Sequence, residues 1–99
     1  MPDRPLRVRW LRTALENLDA LAGYIARDDP AAARRVVAAI ERSVALLERY
    51  PAAGRPGRVE GTRELVVPGT PYIIAYRVRR QTVEILRVFH AARKWPTTM

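Results

Sequence analysis

The chain has 99 residues, a formal net charge of +8 and a hydrophobic fraction of 48%. That length holds one domain with one modest core, spanning 1–99, and that apolar content excludes a disordered chain. With no cysteine, a disulfide scaffold and a thiolate metal site are both excluded, which suits a reducing cytosol.

Every cationic side chain except Lys94 is an arginine. The rigid guanidinium fork matches carboxylates and phosphates better than a lysine point charge does. The excess positive charge points to an anionic partner, nucleic acid or acidic protein; a merely solvated basic surface is the plain alternative. The opening "MPDRPLRVRW" lacks the apolar core of a signal peptide, and no stretch approaches bilayer length. The expectation is a cytoplasmic protein with no membrane partner, no metal and no cofactor.

Residues 6–10, "LRVRW", alternate apolar and cationic as a half-buried strand does. From about 12 to 27 the period becomes helical, with Ala14, Leu18, Leu21, Ala22 and Ile25 on one stripe. Thr13 is the expected N-cap, with Glu16 completing a capping box. A second helix is expected from Pro30 to about Arg49, capped by Asp29 and stopped at Tyr50-Pro51. So short a link requires an antiparallel helical hairpin.

The stretch 51–62, "PAAGRPGRVEGT", reads as loop. Its "GRPGR" follows a helix instead of joining a strand to one, so it is no phosphate cradle. Strands follow at about 63–67, 72–79 and 82–89, linked by "PGTP" and "RQ" at hairpin length. The fold class is therefore α+β, in the order β-α-α-β-β-β, with a helical hairpin packed on a small antiparallel meander. The first strand belongs beside that meander, its partner unassigned.

Strict alternation puts Tyr72, Ile74, Tyr76 and Val78 on one face, with Ile73, Ala75, Arg77 and Arg79 on the other. Along the last strand it sets Glu84, Leu86, Val88 and His90 against Ile85, Arg87 and Phe89. One helical hairpin covers one side of such a sheet. The other side is expected to be a semi-apolar, arginine-bearing surface awaiting a partner, unless loops and termini cover it.

The segments "YIARDDPAAA", "LLERYPAAGRPGRVEGTRELVVPGTPYIIAYRV" and "VEILRVFHAARKW" resemble the ParE/RelE superfamily of bacterial toxins from type II toxin–antitoxin modules. The resemblance runs from Trp10 to Trp95 and is strongest to the ParE-like, plasmid-stabilisation branch. It implies a small basic toxin held harmless in a hetero-oligomer by an antitoxin whose acidic C-terminal segment wraps the hairpin and sheet. For the ParE-like branch it implies inhibition of DNA gyrase without chemistry of the toxin's own. For the RelE-like branch it implies ribosome-dependent cleavage of mRNA. A non-toxic, antitoxin-binding corepressor is a third reading.

RNA cleavage needs a base, an acid and cations that stabilise phosphorane-like charge. His90, Arg93 and Arg63 are the candidates for that chemistry, with Arg87 as a further cation and Glu60 or Glu64 as a conceivable base. In mRNA-cutting relatives a catalytic arginine follows the tyrosine that opens the third strand, and exposed cations alternate along the second. Here Ile73 follows Tyr72, and the second strand offers Arg63 and then Leu65. The residues expected to meet antitoxin or target are Arg63, Arg77, Arg79, Arg87, His90, Arg93, Lys94 and Trp95. Each has a plain alternative: His90 finishing a strand and bonding a backbone carbonyl, Trp95 packing on the body, Arg77 and Arg79 merely solvated.

Overall fold

The computed structural model describes residues 4–92. In chain order these form β1 (Arg7–Trp10), α1 (Arg12–Ala26), α2 (Pro30–Arg49), β2 (Arg55–Pro56), β3 (Arg63–Val66), β4 (Tyr72–Arg79) and β5 (Thr82–His90). The architecture is α+β. The strands make one five-stranded sheet in the order β1-β5-β4-β3-β2, with β1 parallel to β5 and the other pairings antiparallel.

The helices form as their stripes dictate, but they start for different reasons. Asp29 caps α2 through its carboxylate, which accepts from the Ala32 N–H at 3.0 Å, and Pro30 takes the first helical position. The expected Thr13 cap of α1 is not there. Leu11 holds the cap position and makes no side-chain cap hydrogen bond. Its N–H donates instead to the Ile85 carbonyl at 3.0 Å, so the chain turns into α1 directly from the sheet. Thr13 thus falls inside the helix, where it cannot act as the cap.

Ala14 and Leu21 from α1 and Ile40, Val44 and Leu47 from α2 pack on Ile74, Tyr76, Val83, Ile85 and Val88 of the sheet. Strict alternation fails on β5. Tyr76 pairs with Ile85 but Ala75 pairs with Arg87, leaving Leu86 as the extra residue of a bulge. The bulge reverses parity, so Val83, Ile85, Val88 and His90 share the helix side while Glu84, Arg87 and Phe89 share the open side. Without it, either Ile85 or Val88 would leave the core. Beyond the end of β1, Asn17 of α1 accepts from the Val88 N–H at 3.1 Å and satisfies part of the exposed strand edge.

One phenol joins the layers. Tyr76 is 0% exposed; its hydroxyl donates to the Pro51 carbonyl at 2.8 Å and accepts from the Gly54 N–H at 2.8 Å. The segment leaving α2 is thereby fixed to the middle of the sheet. Gly54 has to be glycine, because a Cβ there would lie 2.7 Å from the Tyr76 hydroxyl. This anchoring places Arg55 and Pro56 against Glu64 and Arg63, making a two-residue strand where Pro and Gly content indicated only loop. At the opposite end of β4, Arg80 and Gln81 turn the chain with φ of 50° and 65°. Two central residues at positive φ define the type I′ hairpin, which suits Asn-Gly far better than Arg-Gln.

Two stability measurements check these points. Tyr76→Phe leaves the Pro51 carbonyl and the Gly54 N–H without their buried partner and should cost about 1–3 kcal/mol in denaturant unfolding. Burial pushes the Tyr76 pKa above 10.0, so the unfolded phenol ionises first. The native state should lose stability as pH rises above 10, and the Phe variant should lack that component. Replacing Arg80-Gln81 by Asn-Gly should stabilise the protein by about 1 kcal/mol through relief of the left-handed strain.

Candidate functional site

The open side of the sheet is built from alternate residues of β1, β5, β4 and β3. Arg7 and Arg9 come from β1, Thr82, Glu84, Arg87 and Phe89 from β5. Ile73, Ala75, Arg77 and Arg79 come from β4, and Glu64 and Val66 from β3. It is not the bare surface expected. Ile73 is 2% exposed and Ala75 0%, so the apolar centre is already covered. The 55–62 segment folds back there: the Arg58 guanidinium lies 5.4 Å from the Phe89 ring centre, and the Arg58 N–H donates to Glu64 Oε2 at 3.0 Å. What remains outward is the arginine layer.

Two buried carboxylates order that layer. Glu84 accepts from Arg77 Nε at 2.6 Å and has Arg9 Nη1 at 3.8 Å on its other side. Glu64 has Arg55 Nη2 at 3.4 Å and Arg58 Nε at 3.7 Å. Each acid thus sits between two arginines from neighbouring strands or the folded-back loop. The Arg77 hydrogen bond holds the Glu84 carboxyl below its usual value of 4.5, aided by the charges of Arg77, Arg79 and Arg9. Among the described residues, every buried side-chain nitrogen and oxygen has a hydrogen-bond partner. The same residues contain no metal-holding group of His, Cys, Asp and Glu, and no helix long and apolar enough to cross a membrane.

Of the residues proposed for chemistry, the described pair Arg63 and His90 is not brought together. Arg63 pairs with Tyr76 and so points to the helix side, where its Nη1 donates to the Gly54 carbonyl at 2.8 Å. His90 pairs with Tyr72, four residues along β4 and on its other side. That is about 13 Å along the strands and about 10 Å across two of them, which separates the two backbones by roughly 16 Å. His90 Nδ1 accepts from the Ala92 N–H at 3.1 Å, and its ring meets the Tyr72 ring edge-on at 5.5 Å. The imidazole therefore bonds a backbone N–H instead of the carbonyl expected. Arg93, Lys94 and Trp95 lie outside the described residues.

Parity also changes the reading of β3. Its alternate open-side positions are Glu64 and Val66, not Arg63 and Leu65, and Ile73 lies beside Val66 across the pair. Leu65 packs against the core instead. No cation of β3 or the start of β4 faces the open side. The β4 alternation placed Arg77 and Arg79 correctly, and the bulge leaves Arg87 on their side. Arg9 and Arg58 were not among the expected contact residues, although the "RVR" alternation already set Arg9 on one strand face with Arg7; Glu64 entered only as a conceivable base, and the role of Glu64 and Glu84 as buried acids carries no local signal.

The charge layer can be titrated. Glu84 has a lowered native pKa, so its contribution is present above about 4.5 and is lost as pH falls through the native value. Glu84→Gln should therefore lower the melting temperature at pH 7, and the gap from the parent should close on acidification below pH 4.5.

A second surface lies between α2 and the free part of β3. Ala39, Ser43 and Leu46 face Leu65, Val66 and Pro68 across a shallow apolar groove with Arg42 at its border. Leu46 and Val66 are about half exposed.

Comparison with known proteins agrees with this architecture. Residues 8–95 match the family model for the ParE toxin of the type II toxin–antitoxin system parDE. Y4kP of Sinorhizobium fredii, a protein named as a toxin, is 54% identical over 93 residues, covering 94% of this chain and 96% of its own. Toxin RelE2 of Caulobacter vibrioides is 37% identical over 87 residues, covering 88% and 97%. Among solved structures, the chromosomal ParDE toxin–antitoxin system of P. aeruginosa superposes with a TM-score of 0.78 at 31% identity, covering 86% of this chain and 95% of that one. The RelBE2 toxin–antitoxin complex of Mycobacterium tuberculosis gives 0.67 at 32% identity, covering 93% and 98%. With the α+β fold, the helical hairpin and nearly the whole length matched, this chain belongs to the ParE toxin family of type II toxin–antitoxin systems.

Proposed function

We propose that this protein is the toxin of a type II pair, that a cognate antitoxin neutralises it in a hetero-oligomer, and that when free it inhibits DNA gyrase without chemistry of its own. The observation that carries the choice of target is the scattering of the chemical groups. His90 and Arg63 stand at different ends of different strands, and Glu64, Val66 and Ile73 occupy the open-side positions where an RNA-cleaving centre needs cations. None of those three positions supplies a cation for phosphorane-like charge. In this reading Arg77, Arg79, Arg87 and His90, with Arg93, Lys94 and Trp95 beyond the described residues, serve binding and not catalysis, while Arg63, counted with them from the sequence, is engaged with the Gly54 and Ala52 carbonyls.

The groove between α2 and β3 supports a polypeptide partner. It offers an apolar strip, an arginine at its border and unpaired backbone at the edge of β3 beyond the two residues that β2 covers. A disordered acidic segment needs apolar anchors to offset its ordering cost and cations to fix its register. The antitoxin's acidic C-terminal segment has the matching chemistry.

Incubation of the purified protein with gyrase and plasmid should abolish supercoiling or accumulate cleavage complexes. No effect at several-fold excess over gyrase would overturn the target. His90→Ala should remain toxic on induction without antitoxin, and primer extension should show no codon-positioned cuts. Loss of toxicity in that variant, together with such cuts in the parent, would establish the endonuclease reading instead. Absence of growth arrest with the parent protein would leave the corepressor.

A further inference from the structure

The strand register gathers four arginines at the end of the sheet farthest from His90. Arg7, Thr82 and Arg79 are aligned in one row across β1, β5 and β4, and Arg9, Glu84 and Arg77 in the next. All six face the open side. Strand geometry sets the rows about 7 Å apart and the two arginine columns about 10 Å apart. Glu84 holds the inner pair, Arg9 and Arg77. Among the described residues, Arg7 and Arg79 make no ion pair within contact distance of a carboxylate, although the Arg79 charge is felt by Glu84, and Arg80 continues the positive rim at the adjoining turn.

We propose that this arginine quartet docks the phosphate backbone of duplex DNA, independently of base sequence. The idea goes beyond the gyrase reading and does not rest on it. A site for an acidic polypeptide would need apolar anchors, and the two rows hold only four arginines, Thr82 and Glu84. A single-stranded nucleic acid would need aromatic platforms for its bases. The one aromatic on this side of the described sheet, Phe89, lies at the other end beneath Arg58. A duplex turns its bases inward and presents about one phosphate per 1.7 Å of axis, so a patch of this size meets several at once. Arginine forks suit those oxygens, and contacts to phosphate carry no sequence information.

Glu84 sets the strength of the patch. It keeps the inner guanidiniums upright and spaced, and its own charge offsets one of the four cations. The site therefore binds a polyanion more weakly than four free arginines would. That moderation distinguishes this site from a general basic surface, because removing the internal carboxylate should strengthen binding.

The test uses the full-length protein and a fluorescein-labelled 30-base-pair duplex of arbitrary sequence, followed by anisotropy over a salt series. Engagement of four phosphates predicts a slope of log affinity against log salt of about −3.6, falling to about −1.8 in the Arg7→Gln/Arg79→Gln variant. Glu84→Gln should bind several-fold more tightly than the parent. Arg12→Gln/Arg34→Gln, which removes the same charge from the helical hairpin, should retain the parental slope. Equal losses in the two double variants, or weaker binding by Glu84→Gln with its far-ultraviolet spectrum unchanged, would overturn the proposal. So would parental affinity confined to a poly-glutamate peptide or to single-stranded RNA.

Discussion

The fold depends on one buried hydroxyl. Tyr76 stands at the middle of the central strand, and its oxygen is shared between the Pro51 carbonyl and the Gly54 N–H. Through that oxygen the exit from α2 is held against the sheet. The same anchoring sets the course of residues 55–62 and hence β2 and the cover over Ile73 and Ala75. Arg63 reinforces it from the next strand by donating to the carbonyls of Gly54 and Ala52. An arginine that a search for chemistry would single out is thus occupied in holding a loop.

The two faces of the sheet solve opposite problems. The helix side buries aliphatic side chains and tolerates few polar atoms. The open side buries two glutamates, and each is acceptable only because arginines flank it. The arginines are organised in turn: alone they would repel one another, and around a carboxylate they adopt a spaced array. The high net charge is therefore partly structured, with acids inside and guanidiniums outside.

Much of this was legible in the sequence. "RDDPAAA" marks the helical junction because Asp29 and Pro30 act locally, and the alternation of β4 assigns Arg77 and Arg79 to one face. What escaped depends on events remote in sequence. The Leu86 bulge is invisible to a period-two reading, yet it decides which side Ile85 and Arg87 occupy. The Arg55–Pro56 pairing follows from the Tyr76 anchor 20 residues later, and the start of α1 follows from Leu11 bonding Ile85. A one-residue difference in parity moved Arg63 from a supposed exposed row to the helix side. For the candidate site, single arginines on strands could be read; the acids between them could not, since nothing in local spacing shows that Glu64 and Glu84 will be covered.

The pairing of β1 with β5 has a consequence for folding kinetics. Arg7 and its parallel neighbour Thr82 lie 75 residues apart in sequence (82 − 7). Their contact closes a long loop, so this edge of the sheet is among the slowest parts of the fold to assemble. Any activity that requires both outer strands in place begins only once that distant pairing has formed.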